Sequence, residues 1–282
     1  MECDRPLAPE EVDTPSPLEA EDPDVKIMLD DLPQKLWATG AYDMGFTPQH
    51  NIQIPIKPDQ SPIHQPQYKV RSEAEAGITA TIQGLKEAGV LRPSQSLWNT
   101  PILPVKKADG LTWRMAHDLR LVNDATEGPP ERVPNPQVAL HVVNPDHLWF
   151  SAIDLANAFF CIPLNKDSQD IFSFTWRGEK LTYTRMPQGY RSTPTIFNDC
   201  VRKDLKDTVL PDGVVMVQYV DDILLAAPTR QTCVDATKTL LETLGKAGYK
   251  VKRPKLQAVR PRVKFLGRLI GGDTRDMTQD TR

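Results

Sequence analysis

One run of thirteen residues constrains this chain more than any other segment: Val214-Val215-Met216-Val217-Gln218-Tyr219-Val220-Asp221-Asp222-Ile223-Leu224-Leu225-Ala226. It is apolar and β-forming on both flanks and carries two adjacent carboxylates at its centre, which predicts a hairpin with the acids at its bend. Turn chemistry alone is the ordinary account of an Asp pair between strands. Here that account is weaker, because the Gly or Asn that usually supplies positive φ is missing and the neighbours are bulky. Two carboxylates about 4 Å apart repel by roughly 4 kcal/mol at an effective dielectric near 20. A cation between them makes such an arrangement tolerable.

A third carboxylate ends the short apolar segment Phe150-Ser151-Ala152-Ile153-Asp154-Leu155, which is followed by Ala158-Phe159-Phe160. Alone it reads as an ordinary strand-terminal Asp. Together, Asp154 and Asp221 suit a pair of magnesium ions, since Mg²⁺ takes one or two protein carboxylates and completes its shell with waters and substrate phosphates. Two such ions about 4 Å apart activate an attacking hydroxyl and stabilise a leaving oxygen, which is phosphoryl-transfer chemistry.

Composition excludes several classes. With 282 residues, 39% hydrophobic and 25% charged, the chain is globular and long enough for one large or two ordinary domains. The net charge of -3 gives no global argument for a nucleic-acid partner. Its distribution says more. Residues 1–31 hold eleven acids and two bases, whereas Lys246–Arg268 holds nine bases and no acid. Cys3, Cys161, Cys200 and Cys233 have neither zinc-ligand spacing nor the density of a disulfide framework, which points to a reduced intracellular compartment. No 18-residue apolar run exists, and the acidic start is the opposite of a signal peptide, so neither a membrane span nor secretion is expected.

Proline clusters in residues 6–23, 48–66 and 129–145, read as part of a disordered acidic leader (1–31), an extended strap and a punctuated connection. Ser72-Glu73-Ala74-Glu75 reads as a capping box for a helix burying Ile78, Ile82 and Leu85, with Gly89 beyond its end. Hairpins are expected at Thr100–Lys106 with Leu111–His117, and at Ile171–Trp176 with Leu181–Arg185. Helices are expected from Thr193, as N-cap before Pro194, and over about 231–246 with Gly248 past the end. Lys250–Arg253 and Val263–Ile270 read as closing strands. The class is α+β, antiparallel hairpins with helices packed on one side.

Tyr219-Val220-Asp221-Asp222 resembles the signature hairpin of retroviral reverse transcriptases. Asp118-Leu119-Arg120, the strand with Asp154 and Phe159-Phe160, Met186-Pro187-Gln188-Gly189-Tyr190 with Pro194 and Phe197, and Lys264-Phe265-Leu266-Gly267 follow the same family order. Trp98-Asn99-Thr100-Pro101-Ile102-Leu103-Pro104-Val105-Lys106-Lys107 is similar to the gammaretroviral, leukaemia-virus-like branch, so an endogenous retroviral copy is one source.

The resemblance implies a right-hand polymerase fold over residues 32–282, with fingers at about 32–130 and 165–192. The palm, an antiparallel sheet backed by helices, would take about 131–164 and 193–282. Thumb, connection and ribonuclease H regions would be absent, because the chain stops about twelve residues after the strand that resembles the primer grip. It implies RNA-directed DNA polymerase activity on a primed RNA or DNA template, with Asp154, Asp221 and Asp222 holding two Mg²⁺ or Mn²⁺ ions. Lys107 and Arg114 would take the triphosphate, Phe159 would exclude a 2′ hydroxyl, and Gln188 and Val220 would line the nucleotide site. Tyr219 and Phe265-Leu266-Gly267 would hold primer and template. A thumb-bearing partner or a longer precursor would complete the clamp, in the cytoplasm or a virion.

Taken without the family, several of these residues have plainer roles. Basic residues beside a turn are usually solvated, one Phe of a Phe-Phe strand pair usually packs the core, Gln188 is a turn residue, and a basic tract is usually a solvated face. Asn157 stands where the family has an acid, and Asp124 where it has a base; the former is expected to lower nucleotide affinity or rate. Two other readings stay open: a catalytically idle nucleic-acid-binding remnant, and a two-metal nuclease that would leave Gln188, Phe159, Lys107 and Arg114 without a purpose.

Overall fold

Residues 22–133 and 135–272 are described by the computed structural model. In chain order they form α1 (Pro23–Asp30), α2 (Ser72–Glu87), β1 (Leu91–Pro93), β2 (Ile102–Lys106), β3 (Trp113–His117), α3 (Arg120–Ala125), α4 (Pro136–Ala139), β4 (Trp149–Asp154) and α5 (Lys166–Gln169). There follow β5 (Phe174–Trp176), β6 (Glu179–Tyr183), α6 (Thr193–Leu205), β7 (Val215–Tyr219), β8 (Asp222–Ala227), α7 (Arg230–Ala247), β9 (Gln257–Arg260), β10 (Arg262–Phe265) and β11 (Arg268–Gly271). None of the helices is long and apolar enough to cross a membrane, among the described residues.

The central sheet has strand order β7-β8-β4-β9, all neighbours antiparallel. Its two middle strands are buried on both faces, which explains why β8 reads as an uninterrupted apolar run. Alternation divides them cleanly. Ile153, Ile223, Leu225 and Ala227 join the main core with Cys233, Leu240 and Leu244 of α7, while Phe150, Ala152, Leu224 and Ala226 join a second cluster with Val263, Phe265 and Ile270. Thus α6 and α7 back one face and the β10–β11 hairpin covers the other.

Helix α7 is fixed at both ends. The Thr229 hydroxyl accepts from Thr232 N–H at 3.2 Å, and the Thr232 hydroxyl accepts from Thr229 N–H at 3.3 Å, a capping box with Thr in place of Glu. Gly248 ends the helix at φ 101°, where a Cβ would collide with the Phe46 carbonyl. The proline-rich strap runs extended beneath, bridging Ile52 to Leu164, Ile56 to Thr126 and His64 to Asn99. Its start is held where the buried His50 ring meets Asp204 of α6 at 2.8 Å, and Tyr249 donates to that same carboxylate at 2.6 Å. β2–β3 forms a two-stranded sheet of its own against α2, and β1-β6-β5 forms a third sheet.

Several sequence expectations need correction. The disordered leader does not extend to residue 31: α1 buries Val25 and Leu29, and Arg230 pairs with Asp22 and Asp24 at 2.9 and 2.7 Å. Residues 1–21 lie outside the described residues. Ser72 does not cap α2. Arg71 occupies the cap position, and Glu73 and Glu75 favour the helix start through the dipole instead. Phe159 and Phe160 are not in a strand but in a 3₁₀ turn, Ala158–Cys161, because Asn157 takes φ 50° and breaks the extended path. Lys250–Arg253 contributes only the two isolated bridges of Val251, to Trp37 and to Leu155. Val263–Ile270 is a hairpin rather than one strand, since Leu266 and Gly267 both take positive φ, the signature of a type I′ turn.

Candidate active site

The carboxylates meet at one end of the central sheet. Asp154 closes β4, Asp222 opens β8, and the register pairs them directly. Tyr219, closing β7, lies opposite Asp222 on the other side. Directly opposed residues carry Cβ atoms about 4.5–5.5 Å apart, so Tyr219, Asp222 and Asp154 form a row across three strands. Period-two alternation sends that row to the face of Leu224 and Phe150, the one covered by β10–β11. Phe265 is buried in the apolar cluster on this face, Leu266 packs against it, and Gly267 is exposed.

Val220 and Asp221 are the two residues of the turn between β7 and β8. Val220 takes φ 53°, uncommon for a β-branched residue, at a cost of about 1–3 kcal/mol. The missing Gly noted in the sequence therefore leaves a strained turn, and hydrogen bonds hold it from two sides. Val220 N–H donates to Oδ1 of Asn198 in α6 at 3.1 Å, and Leu155 N–H donates to the Asp221 carbonyl at 2.9 Å. Gln218 in turn donates to the Asn198 carbonyl at 3.0 Å and to its Oδ1 at 3.3 Å.

The electrostatics follow from this packing. Burial, and then the charge of Asp154, raises the Asp221 carboxyl above the usual range. Burial, followed by the charges of Asp221 and Asp154, pushes Asp222 up to about 7. Lys252 and Lys255 pull both back, with Lys255 Nζ 3.9 Å from Asp154 Oδ2. Among the described residues no three His, Cys, Asp or Glu side chains are arranged to hold a metal ion by themselves. Mg²⁺ needs no such cage. Hard carboxylate oxygens that repel one another and lean on lysines for compensation are the donor set a hard divalent cation takes, with water and phosphate completing the shell.

The remaining expected residues lie on three other elements. Lys107 is exposed beyond β2 and Arg114 exposed on β3, flanking a turn in which Asp109 accepts from the Leu111 and Thr112 amides at 2.8 and 2.9 Å. Gln188 is exposed beside Gly189, which takes φ 91° and where a Cβ would come within 3.2 Å of the His117 carbonyl. Phe159 is half-buried with its ring edge-on to Phe197, centroids 5.6 Å apart, while Phe160 stacks on Tyr183. Asn157 donates to the Asp43 carbonyl at 3.1 Å, so it serves a left-handed corner that Asn tolerates well. Sequence reasoning missed Asn198 altogether and counted Lys252 and Lys255 only as members of a basic tract. The polar Asn within the apolar stripe of α6 was the one available signal.

The chain belongs to the reverse transcriptase (RNA-dependent DNA polymerase) family, whose model matches residues 105–270 and so takes in both the strand that ends at Asp154 and the hairpin of Asp221 and Asp222. Its relatives are retroviral. The Pol polyprotein of feline endogenous virus ECE1 is 42% identical over 258 residues, 89% of this chain and 24% of that one. The Gag-Pol polyprotein of koala retrovirus is 42% identical over 251 residues, 86% of this chain and 15% of that one. A solved foamy viral protease-reverse transcriptase in complex with RNA/DNA hybrid is 32% identical with a TM-score of 0.75, covering 89% of this chain and 33% of the other. The fold is that of the fingers and palm of these enzymes. This chain spans a quarter or less of the length of the two polyproteins.

Proposed function

We propose that this chain acts as an RNA-directed DNA polymerase module, transferring a deoxynucleotide from its triphosphate to a primer 3′ hydroxyl on an RNA or DNA template. The pairing of Asp154 with Asp222, beside the turn residue Asp221, carries the reading. These three carboxylates would hold two Mg²⁺ or Mn²⁺ ions, which supply activation of the hydroxyl and neutralisation of the leaving oxygen. Little covalent work falls to the protein, so its side chains orient and neutralise.

Lys107 and Arg114 bind the triphosphate, Arg114 as a bidentate fork and Lys107 as a point charge. Phe159 lies beneath the sugar and excludes a 2′ hydroxyl, with Gln188 and Val220 completing the nucleotide site. Tyr219 and the Phe265-Leu266-Gly267 turn hold the primer end, a role supported by their sharing the face of Asp222. Bases of the Lys246–Arg268 tract meet phosphates, contacts that carry no sequence information and so suit copying of any template. The foamy viral relative solved with an RNA/DNA hybrid supports this class of duplex. A thumb-bearing partner or a longer precursor would add clamping surface, and the working place would be the cytoplasm or a virion.

Primer extension with purified protein, with and without Mg²⁺, tests the reading. Metal-dependent extension that disappears in Asp154→Asn and Asp221→Asn is expected, and equal activity in those variants removes the assignment. Duplex binding without incorporation under any divalent metal would identify an idle nucleic-acid-binding remnant instead. Phe159→Val is expected to admit ribonucleotides; unchanged sugar selectivity would make Phe159 a core residue only.

A further inference from the structure

The turn that carries Asp221 has no glycine, and its first residue adopts a left-handed conformation that valine resists. In a two-residue hairpin turn the amide of the first turn residue has no partner within the ladder, and buried amides are rarely left without one. Here it is answered from outside the sheet, by the side chain of Asn198 on α6, itself buried. Gln218, the last residue but one of β7, donates to the same oxygen and so fixes the orientation of the Asn198 amide group. On the opposite side the Asp221 carbonyl is held by Leu155, the residue after Asp154. One turn residue is thus tied to the helix layer and the other to the strand bearing the facing carboxylate.

We propose that Asn198 is a positioning residue for the metal site: by accepting the Val220 amide it locks the strained turn, and so sets the aim of the Asp221 carboxylate toward Asp154. The inference rests on the polymerase reading only in the purpose it gives the site, since the locking itself is a property of the metal-free fold. In this role Asn198 need contact neither substrate nor metal. Its effect passes through Val220, and the strain at Val220 is what makes it necessary. With glycine at 220 the turn would hold its φ unaided, and Asn198 would matter less.

Three measurements on the full chain test this. Hydrogen exchange reads the Val220 amide in the metal-free protein. Calorimetric titration with Mn²⁺ reads the site, and thermal unfolding reads the fold. In Asn198→Leu, close in size but without an acceptor, Val220 protection is expected to fall about tenfold or more while Ile223 and Leu224 keep theirs. Mn²⁺ affinity is expected to fall several-fold with little change in melting temperature. Asn198→Asp, which keeps the acceptor, is expected to retain Val220 protection. In a Val220→Gly background the same Asn198→Leu change is expected to cost clearly less Mn²⁺ affinity than in the parent.

Unchanged Val220 protection in Asn198→Leu, or an equal loss of Mn²⁺ affinity in both backgrounds, overturns the proposal. Should Asn198→Leu not fold, Asn198→Ala read by the same exchange and titration decides. A parent chain that binds Mn²⁺ but extends no primer would sink the polymerase reading and leave this test intact.

Discussion

Asp222 is a carboxylate whose ionisation the fold opposes, and the consequence has a definite sign. Burial and its two acidic neighbours lift it from an ordinary 3.8 to about 7, so across that window the folded chain binds the proton that the unfolded chain has released. Its contribution to metal-free stability therefore falls as pH rises from about 4 to about 7, by on the order of 2–4 kcal/mol. His117 runs the other way: burial drives it down to about 3, so its contribution grows as pH rises from about 3 through 6.5. The two slopes overlap, and the difference curve between wild type and Asp222→Asn isolates the carboxylate. In urea unfolding with chelator present, Asp222→Asn is expected to be the more stable protein at pH 8 and to lose that advantage at pH 4. Adding Mg²⁺ at pH 8 is expected to stabilise wild type more than the variant. At this scale the acids were legible in the sequence, because an Asp pair inside a β-forming apolar run has few cheap explanations. Asn198 was not, since it meets Val220 only through the packing of α6 on the sheet, 22 residues away along the chain.

Elements were most legible where periodicity and end signals agreed. Helix α7 shows both: Leu240 and Leu244 on its buried stripe, and Gly248 past its end. Gly248→Ala would place a methyl group against the Phe46 carbonyl in a left-handed residue, and a loss of at least about 2 kcal/mol is expected in denaturant unfolding. Thr229→Ala, which removes the opposite cap, is expected to cost about 1 kcal/mol. The errors share a cause. Phe159-Phe160 and Val263–Ile270 look extended by composition, yet Asn157 and Leu266 take positive φ and fold both segments back. Asn tolerates that conformation and leucine resists it, so tertiary packing, which no local pattern records, decided the second case.

At the scale of the whole molecule the palm sheet is a partition between two cores, and the acids stand on the side of the β10–β11 hairpin. Composition hinted at this only through the basic tract, which the structure spreads over several jobs. Lys250 pairs with Asp43 at 2.9 Å, Arg253 lies over the Trp37 ring, and Lys255 stands beside Asp154. Arg262 and Arg268 are exposed on the hairpin itself. If that hairpin meets the sugar-phosphate backbone, Arg268→Ala is expected to weaken duplex binding to a similar extent for unrelated sequences and to lower the salt slope by about 1 in fluorescence titrations.

The pairing of Asp154 with Asp222 has a genetic corollary. Six consecutive partners, Trp149 with Ala227 through Asp154 with Asp222, fix which way each acid points. A single in-frame codon gained or lost within either strand would swing one acid to the opposite side of the pleat and transpose every core contact beyond it. Drifting copies of such a gene should therefore tolerate changes of length in the segment before Val215 far better than inside these two strands, and one such lesion would silence an open reading frame that still looks intact.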